Sequence, residues 1–171
     1  MRKRNGPLPG LTARLSRLIL SYMVNCTSLS LVRQIRARPQ VVFDAVTTPS
    51  GIARWWGPDA GPVLVAETDP RVGGRYRVRF RKLDRSEHEI SGEFLEIVRP
   101  ERLVMSWRWK DRAADAGESR VEFTLKAVPE GTDLTFVHSQ LQDDETCRNH
   151  EAGWMGALDK LKANFAAGSA A

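Results

Sequence analysis

The feature that most constrains the fold is a two-residue alternation of apolar and polar side chains through the middle of the chain. In residues 74–82, Tyr76, Val78 and Phe80 alternate with arginines. The pattern recurs in residues 62–69, 87–98, 102–109, 119–128 and 132–140. Such alternation is typical of strands with one wet face, and short turns favour antiparallel neighbours. The sequence therefore predicts six strands in an antiparallel meander.

The segments before this meander indicate a strand and two short helices. Residues 29–37 are predicted to form a first strand, which ends before Pro39. One short helix begins at Pro39, and a second covers residues 48–56, with Thr48 as its cap and Gly57 as its end. Both adjacent tryptophans, Trp55 and Trp56, would lie on this second helix.

The chain closes with a long amphipathic helix. Acidic residues at 143–145 favour its start. Its apolar stripe consists of His150, Trp154, Leu158, Leu161 and Phe165. With an end near residue 168, a helix of about two dozen residues would reach roughly 36 Å.

These segments resemble a known family. The runs PQVVFDAVTTPSGIARWWGP, GGRYRV, SGEFLEIVRPERLVMSW, GTDLTFVHS and HEAGWMGALDKL occur in the order expected of one domain. That domain is named after the activator of the ninety-kilodalton heat-shock protein ATPase, and it belongs to the START-like, or SRPBCC, superfamily. The resemblance covers residues 29–166, which is the whole folded part.

The resemblance implies an α+β helix-grip fold, START-like or Bet v-like. In that fold a curved antiparallel sheet of six to seven strands wraps around the long C-terminal helix, and the two short helices follow the first strand. A cavity between sheet and helix is usual in the superfamily, whose members hold lipids, hormones or polyketides. Residues 29–167 are accordingly expected to form a single domain, with an N-terminal extension at 1–28 and a tail at 168–171.

The N-terminal extension carries the basic character of the chain. The formal charge is +5, and five of the 26 Lys and Arg lie before residue 23, where no acid occurs. The remaining residues are formally neutral, with 21 acids, so nucleic acid is not a predicted partner. Three interpretations of the extension stay open: a signal peptide, which we disfavour, an amphipathic helix for a membrane surface or partner, and an upstream extension before a start at Met23, which we favour. No apolar run is long enough to span a membrane.

Two cysteines, Cys26 and Cys147, do not make the framework of a disulfide-rich protein. A cytoplasmic location is therefore expected. Cys147 shares a helix face with Trp154, which predicts an inert buried thiol. Together with His150 and Glu151 it makes only a weak metal-binding pattern, since a structural zinc site needs four ligands. No metal and no cofactor are predicted.

Inward-facing aromatic residues predict a site for a small, mostly apolar molecule, which burial and stacking would hold. The candidate ligand-binding residues are Phe43, Trp55, Trp56, Tyr76, Phe80, Phe94, Trp107, Trp109, Phe136, His138, His150 and Trp154. The family resemblance also implies that Trp55 and Trp56 lie near the cavity entrance. There they either frame the ligand site or only seal the core.

Two of these candidates are histidines whose patterns place them inward. His138 follows the strand face of Leu134 and Phe136, and His150 lies on the helix stripe. Two converging imidazoles could orient a polar ligand group or transfer a proton. We favour the alternative of core histidines that are satisfied by backbone or by Tyr76.

The outward face of residues 74–82 carries four arginines, at 75, 77, 79 and 81. Across the next turn, the acids at 87, 89 and 93 have the matching parity. Cross-strand pairs of this kind predict a solvated, salt-bridged sheet face and not a phosphate-binding track.

Binding of a small hydrophobic ligand is the leading functional hypothesis. The first alternative is a chaperone-associated cofactor, as the family name suggests, although the namesake activator carries an additional N-terminal domain that residues 1–28 cannot supply. The second is a cavity enzyme of cyclase or hydrolase type, with His138 and His150 as its acid-base candidates. No catalytic residue is assigned, and the protein is expected to be a monomer or a homodimer.

Overall fold

The computed structural model describes residues 26–110 and 117–166. Its strands are β1 Ser28–Ile35, β2 Val63–Thr68, β3 Arg75–Arg81, β4 Glu87–Val98, β5 Arg102–Trp109, β6 Ser119–Val128 and β7 Gly131–Ser139. Its helices are α1 Pro39–Thr47, α2 Pro49–Ile52 and α3 Asp144–Ala163. The predicted order of elements is confirmed. Residues 1–25, which include most of the predicted extension, and residues 167–171 lie outside the described part of the chain.

All seven strands belong to one antiparallel sheet in the order β1-β7-β6-β5-β4-β3-β2. The meander from β2 to β7 is confirmed, and β1 pairs with β7 along its whole length, from Ser28 opposite Ser139 to Ile35 opposite Thr132. The backbone of α3 approaches the sheet most closely at β1. The strands farther from β1 can therefore face the helix across a wider gap. Within the described ranges, no helix is both long and apolar enough to cross a membrane.

The second short helix is shorter than the sequence predicts. Thr48 caps it as expected, because its side-chain oxygen accepts a hydrogen bond from the Gly51 amide at 3.1 Å. The helix ends at Ile52, and Trp55 and Trp56 follow in a turn whose amides bond back to the Ile52 carbonyl. Without the constraint of one helix face, the two indoles can point to different neighbours.

Helix α3 begins as predicted and ends early. The Asp143 carboxylate accepts from the Thr146 amide at 2.7 Å, and Asp144 and Glu145 occupy the first turn. The last helical residue is Ala163, so the predicted end near residue 168 is wrong. Its 20 residues span about 30 Å. Phe165, which was placed on the helical stripe, packs against the core from the turn that follows.

Close contact joins α3 to the turn at residues 56–58. A Cβ on Gly156 would lie 2.0 Å from the Pro58 carbonyl oxygen, so only glycine lets the turn come this close. One helical turn on, the Lys160 ammonium donates to the carbonyl of Trp56 at 3.1 Å and to that of Asp59. Burial lowers the pKa of Lys160, although nearby Asp59 opposes the shift. The turn and the helix therefore form one packed unit.

A disulfide joins Cys26 to Cys147, with 6.1 Å between their Cα atoms. The expectation that Cys147 is a free buried thiol is wrong: its side chain is buried, but its sulfur is bonded. The sequence could not show this, because 121 positions separate the two residues and only the β1–α3 packing brings them together. The bridge ties the chain before β1 to the first turn of α3. The cytoplasmic location was inferred from cysteines that form no disulfide framework. Because these two cysteines are bonded, that inference loses its support, and the location stays a prediction.

The outer face of β3 and β4 is salt-bridged, as the parity of arginines and acids predicts. Arg81 pairs with Glu87 at 2.8 Å, and Arg77 approaches Glu89 at 3.7 Å. Arg77 also donates two hydrogen bonds, at 3.0 and 3.1 Å, to Glu67 of β2, which the prediction did not include. The Arg77–Glu67 and Arg81–Glu87 pairs are solvent-exposed, so each contributes little to the free energy of unfolding. They fix the register of β2, β3 and β4 more than they stabilise the fold.

Two glycines of α3 give a matched test of the contact with residues 56–58. Gly156→Ala is expected to lower the free energy of unfolding by about 1–3 kcal/mol, because the new methyl group must displace the Pro58 carbonyl. Gly153→Ala is expected to raise it by up to about 1 kcal/mol, since the nearest atom to a new Cβ is 4.0 Å away and alanine favours the helix. Urea unfolding measures both. Equal effects of the two substitutions would contradict the close contact.

Reduction of the disulfide is expected to lower the free energy of unfolding by about 2–4 kcal/mol, because the unfolded chain regains the freedom of a long closed loop. Urea unfolding with and without dithiothreitol measures the effect. The Cys26→Ser variant serves as control: its stability should match that of the reduced wild type in both buffers. A wild type whose unfolding curve ignores the reductant would show that the bond does not contribute.

Candidate functional site

The adjacent tryptophans have different roles. Trp55 is 0% exposed, donates its indole N–H to the Ala45 carbonyl at 2.9 Å and meets Phe123 edge-on, so it belongs to the core. Trp56 is 3% exposed, and its ring stacks on that of Trp107 with 5.6 Å between centroids and 18° between planes. The Trp56 ring lines a cavity. The sequence left open whether these residues frame the cavity or only seal the core. Trp55 seals the core, and Trp56 frames the cavity.

A cavity of about 580 Å³ lies between α3, the turn at residues 56–58 and the inner face of β3, β4 and β5. Its size falls within the range of small-molecule sites. At the edge of the cavity, the chain turns at Gly57, whose φ is 94°. The Gly57 backbone lies against the ring of Phe80. The lining residues are Trp56, Gly57, Pro58, Phe80, Lys82, His88, Trp107, Trp109, Asn149, His150, Ala152, Gly153, Trp154 and Ala157.

The walls of this cavity form one continuous aromatic cluster. Trp107 is its centre: the Trp107 ring lies 5.0 Å from that of Trp154 and 5.6 Å from those of Trp56 and Trp109. Phe80 extends the cluster, 6.3 Å from Trp109. Among the described residues, the indole N–H of Trp107 is the buried side-chain polar group without a hydrogen-bond partner. Packing alone holds that ring.

Half of the predicted ligand-binding residues line the cavity, and half belong to the surrounding core. Those that line it are Trp56, Phe80, Trp107, Trp109, His150 and Trp154. Those in the core are Phe43, Trp55, Tyr76, Phe94, Phe136 and His138. Tyr76 illustrates the difference: its hydroxyl donates to the Ser106 carbonyl at 2.7 Å, and its ring packs on Phe94. Burial raises the pKa of this phenol well above its ordinary value.

Three polar lining residues escaped the sequence analysis: Lys82, His88 and Asn149. A signal existed for Lys82 and His88. Lys82 continues the inward parity of Phe80 past the end of β3, and His88 has the inward parity of β4. Asn149 lies four residues before Gly153, on the edge of the α3 stripe. Each of the three lies where a helix or strand reaches solvent. A polar side chain in such a place looks like an ordinary surface residue in the sequence, so the pattern did not assign it to the cavity.

His138 and His150 do converge, with 4.6 Å between ring centroids. Nδ1 of His138 accepts from the Trp154 indole at 3.0 Å, and its Nε2 bonds to the Ser119 hydroxyl at 2.8 Å. Because an indole can only donate, His138 is the Nε2–H tautomer and Nε2 donates. Burial, and secondarily the nearby His150, lower the pKa of His138 to about 3. The ring is therefore neutral at ordinary pH.

His150 is held in the opposite tautomer. Its Nε2 accepts from the Trp109 indole at 3.0 Å, so its Nδ1 donates to the Thr146 carbonyl at 2.8 Å. Both histidines are satisfied, as the favoured interpretation expects, but by tryptophans, Ser119 and backbone. The predicted partner Tyr76 is not among them. Hydrogen bonds to neighbouring residues occupy all four ring nitrogens.

A polar turn borders the cavity between β3 and β4. We call it the β3–β4 rim and define it as Lys82, Asp84, Ser86 and His88. Asp84 accepts from the Ser86 hydroxyl at 2.5 Å, from the Ser86 amide at 2.8 Å and from the Lys82 ammonium at 2.9 Å. These hydrogen bonds, first those of Ser86, lower the pKa of Asp84 and keep it ionised. Since Ser86 donates to Asp84, its oxygen accepts from Nε2 of His88 at 3.1 Å.

Within the described ranges, no three His, Cys, Asp or Glu side chains cluster as metal ligands would. The Cys147-x-x-His150 pattern also lacks a thiolate, because the Cys147 sulfur is in the disulfide.

The sequence and the fold are similar to those of known proteins. A family model described as "Activator of Hsp90 ATPase homolog 1-like protein" matches residues 36–166. No protein with a curated description matched the chain. A crystal structure from Chromobacterium violaceum is 30% identical, covers 81% of this chain and 96% of its own, and has a TM-score of 0.74.

Two further solved structures carry the family's name. The AHSA1 protein from Silicibacter pomeroyi is 28% identical over 81% of this chain and 97% of its own, with a TM-score of 0.71. An AHSA1-like protein from Aeromonas hydrophila is 25% identical over 80% and 90%, with a TM-score of 0.65. The predicted helix-grip fold and family are confirmed. The chain belongs to the family of proteins like the activator of Hsp90 ATPase homolog 1, within the SRPBCC superfamily.

Proposed function

We propose that the protein binds a small, mostly apolar molecule in the cavity between α3 and the sheet. The observation that carries this proposal is the cavity of about 580 Å³ whose walls are the rings of Trp56, Phe80, Trp107, Trp109 and Trp154. A pocket of this size with aromatic walls and a few polar groups has the composition of a small-molecule site. Burial would supply the affinity, and each well-placed ring contact adds about 0.5–1.5 kcal/mol.

The position of the cavity also supports binding. Two of its lining residues, Asn149 and Ala152, are exposed on α3, and two more, Lys82 and His88, are half-buried at the β3–β4 turn, so the cavity reaches solvent there. A ligand can therefore enter without unfolding the core. Gly153 has no side chain and Ala157 has only a methyl group, so the space between α3 and the sheet stays open at these two residues.

The enzyme hypothesis loses the residues on which it depended. His138 is 0% exposed, and both of its nitrogens and both of those of His150 are engaged. A general base needs a free nitrogen within reach of the substrate proton. These histidines instead orient Trp154 and Trp109 in the cavity wall.

The role of a chaperone-associated cofactor stays a prediction, and it rests on the family's description. Co-purification of a ninety-kilodalton chaperone with the full chain would support it. A specific interaction should be lost when an excess of the free chain is added as competitor. The expected oligomeric state, monomer or homodimer, likewise stays a prediction.

Filling the cavity is expected to block ligand binding. The probe is N-phenyl-1-naphthylamine, an uncharged fluorescent molecule, titrated into the full chain. Wild type should give a saturable rise in probe fluorescence with quenching of tryptophan emission. Gly153→Phe should weaken binding by about tenfold or more, because the new ring occupies the space that the probe needs. Native mass spectrometry against the denatured mass would also reveal a co-purified ligand.

The matched control is Met155→Phe, which places the same ring on the exposed face of α3. It should bind the probe as wild type does. Ala152→Phe is a second test that spares the core, because this lining residue is exposed. If both lining variants fold and bind the probe like the control, the cavity is not the site.

The structural role of His138 predicts a pH dependence of stability. Well above pH 6.5 the ring is neutral in the folded and the unfolded chain. As pH falls from 6.5 toward about 3, the unfolded chain takes up a proton that the buried ring does not, so stability is lost. At pH 5 the loss is about 2 kcal/mol.

Urea unfolding of wild type and His138→Gln at pH 7 and pH 5 measures this loss. Glutamine can still accept from Trp154 and donate to Ser119, but it does not titrate. The variant should therefore lose less stability than wild type on acidification. Because His150 faces the same ring, the difference between the two proteins is the relevant quantity. Parallel pH curves would contradict a buried neutral His138.

A further inference from the structure

The β3–β4 rim gives the mostly apolar cavity a polar side. Its Lys82 and His88 line the cavity beside the rings of Phe80 and Trp109. We infer that this rim selects ligands whose apolar body carries an anionic head group, of which a carboxylate on an aromatic ring is the simplest. The inference rests on the proposed function, because it names the ligand class of the same cavity.

Hydrogen-bond donors at the rim outnumber the acceptors that use them. The Lys82 side chain is 31% exposed and gives one hydrogen bond, to Asp84. An ammonium has three hydrogens, so two are available for a ligand. Asp84 is better satisfied, since the Ser86 hydroxyl and amide also donate to it. The rim therefore favours an acceptor, and a charged acceptor most of all.

The nearby acids do not cancel this preference. Glu87 and Glu89 flank His88 and pair with basic side chains, Glu87 with Arg81 and Glu89 with Lys110. Asp59 also reaches the rim, and its two oxygens accept from the amides of Gly61 at 2.8 Å and Leu83 at 3.1 Å. Lys160 lies beside Asp59 and offsets its charge. None of the lining residues among the described part of the chain carries a carboxylate. An anion at the Lys82 ammonium would thus meet no acidic wall.

Aromatic walls also suit a cation, which is attracted by the faces of the rings. The charges on the lining argue against that ligand here. Lys82 is the lining residue with a fixed positive charge, and it would repel a quaternary ammonium held against Phe80 and Trp109. The same geometry attracts an anion and leaves the ring faces for the apolar body.

His88 borders the same side of the cavity as Lys82. Its Nε2–H is used by Ser86, so Nδ1 is the remaining hydrogen-bonding atom of the ring. Edge contact with Trp109, at 5.9 Å between centroids, fixes the ring plane. In this tautomer Nδ1 is an acceptor, so the anionic group itself is held at the Lys82 ammonium.

The test compares two probes that share one body. 1-Anilinonaphthalene-8-sulfonate carries a sulfonate, and N-phenyl-1-naphthylamine does not. In Lys82→Met, which keeps the apolar stem, the affinity for the sulfonate probe relative to the neutral probe should fall by about fivefold. Lys126→Met is the matched control, because it removes an exposed lysine from β6, and it should leave that ratio at the wild-type value. Asp84→Asn should shift the ratio the opposite way, an effect that misfolding cannot imitate.

The outcomes separate this inference from the proposed function. If both probes bind in the cavity and Lys82→Met has the same affinity ratio as Lys126→Met, the anion preference is wrong and ligand binding stands. If Gly153→Phe leaves both probes unaffected, ligand binding in the cavity falls and the inference falls with it. Displacement of the neutral probe by phenyltrimethylammonium at lower concentration than by benzoate would show a cation site and overturn the inference.

Discussion

The cavity depends on how α3 is held at its two ends. At its start, the disulfide to Cys26 fixes the helix beside β1. Toward its end, Lys160 binds the carbonyls of residues 56 and 59, and Gly156 lies against Pro58. Between these anchors the helix cannot collapse onto β3–β5, and Gly153 fills none of the space. The cavity is thus bounded by a fixed helix and is not a packing defect.

Rigid walls follow from the way the indole N–H groups are used. Trp109 and Trp154 each donate to a histidine, and those histidines are fixed by Thr146 and Ser119. Each ring is therefore oriented by a bond at its polar edge, while its faces remain apolar. A ligand that enters such a site orders few side chains, so little affinity is lost to side-chain entropy. The same bonds explain why inward histidines can coexist with an apolar cavity.

The sequence was sufficient for the sheet and insufficient for the cavity, for a physical reason. Alternation reports which side of a strand faces inward, and it placed Tyr76 and Phe80 on the same inner face correctly. It does not report whether a neighbour fills the space beyond the side chain. Tyr76 meets Phe94 and lies in the core, whereas Phe80 lines the cavity. The disulfide was likewise unpredictable, since no local pattern records the approach of β1 to α3.

Polar residues show the same limit most clearly. His138 and His88 both lie on the inner face of a strand, and periodicity treats them alike. His138 lies deep under α3, where indole and hydroxyl partners occupy both nitrogens. His88 lies near the start of β4, where the inner face meets solvent and a ring nitrogen stays available. The polar groups of this cavity that keep a hydrogen-bonding atom available thus lie near strand ends, and Lys82, just past the end of β3, has the same position.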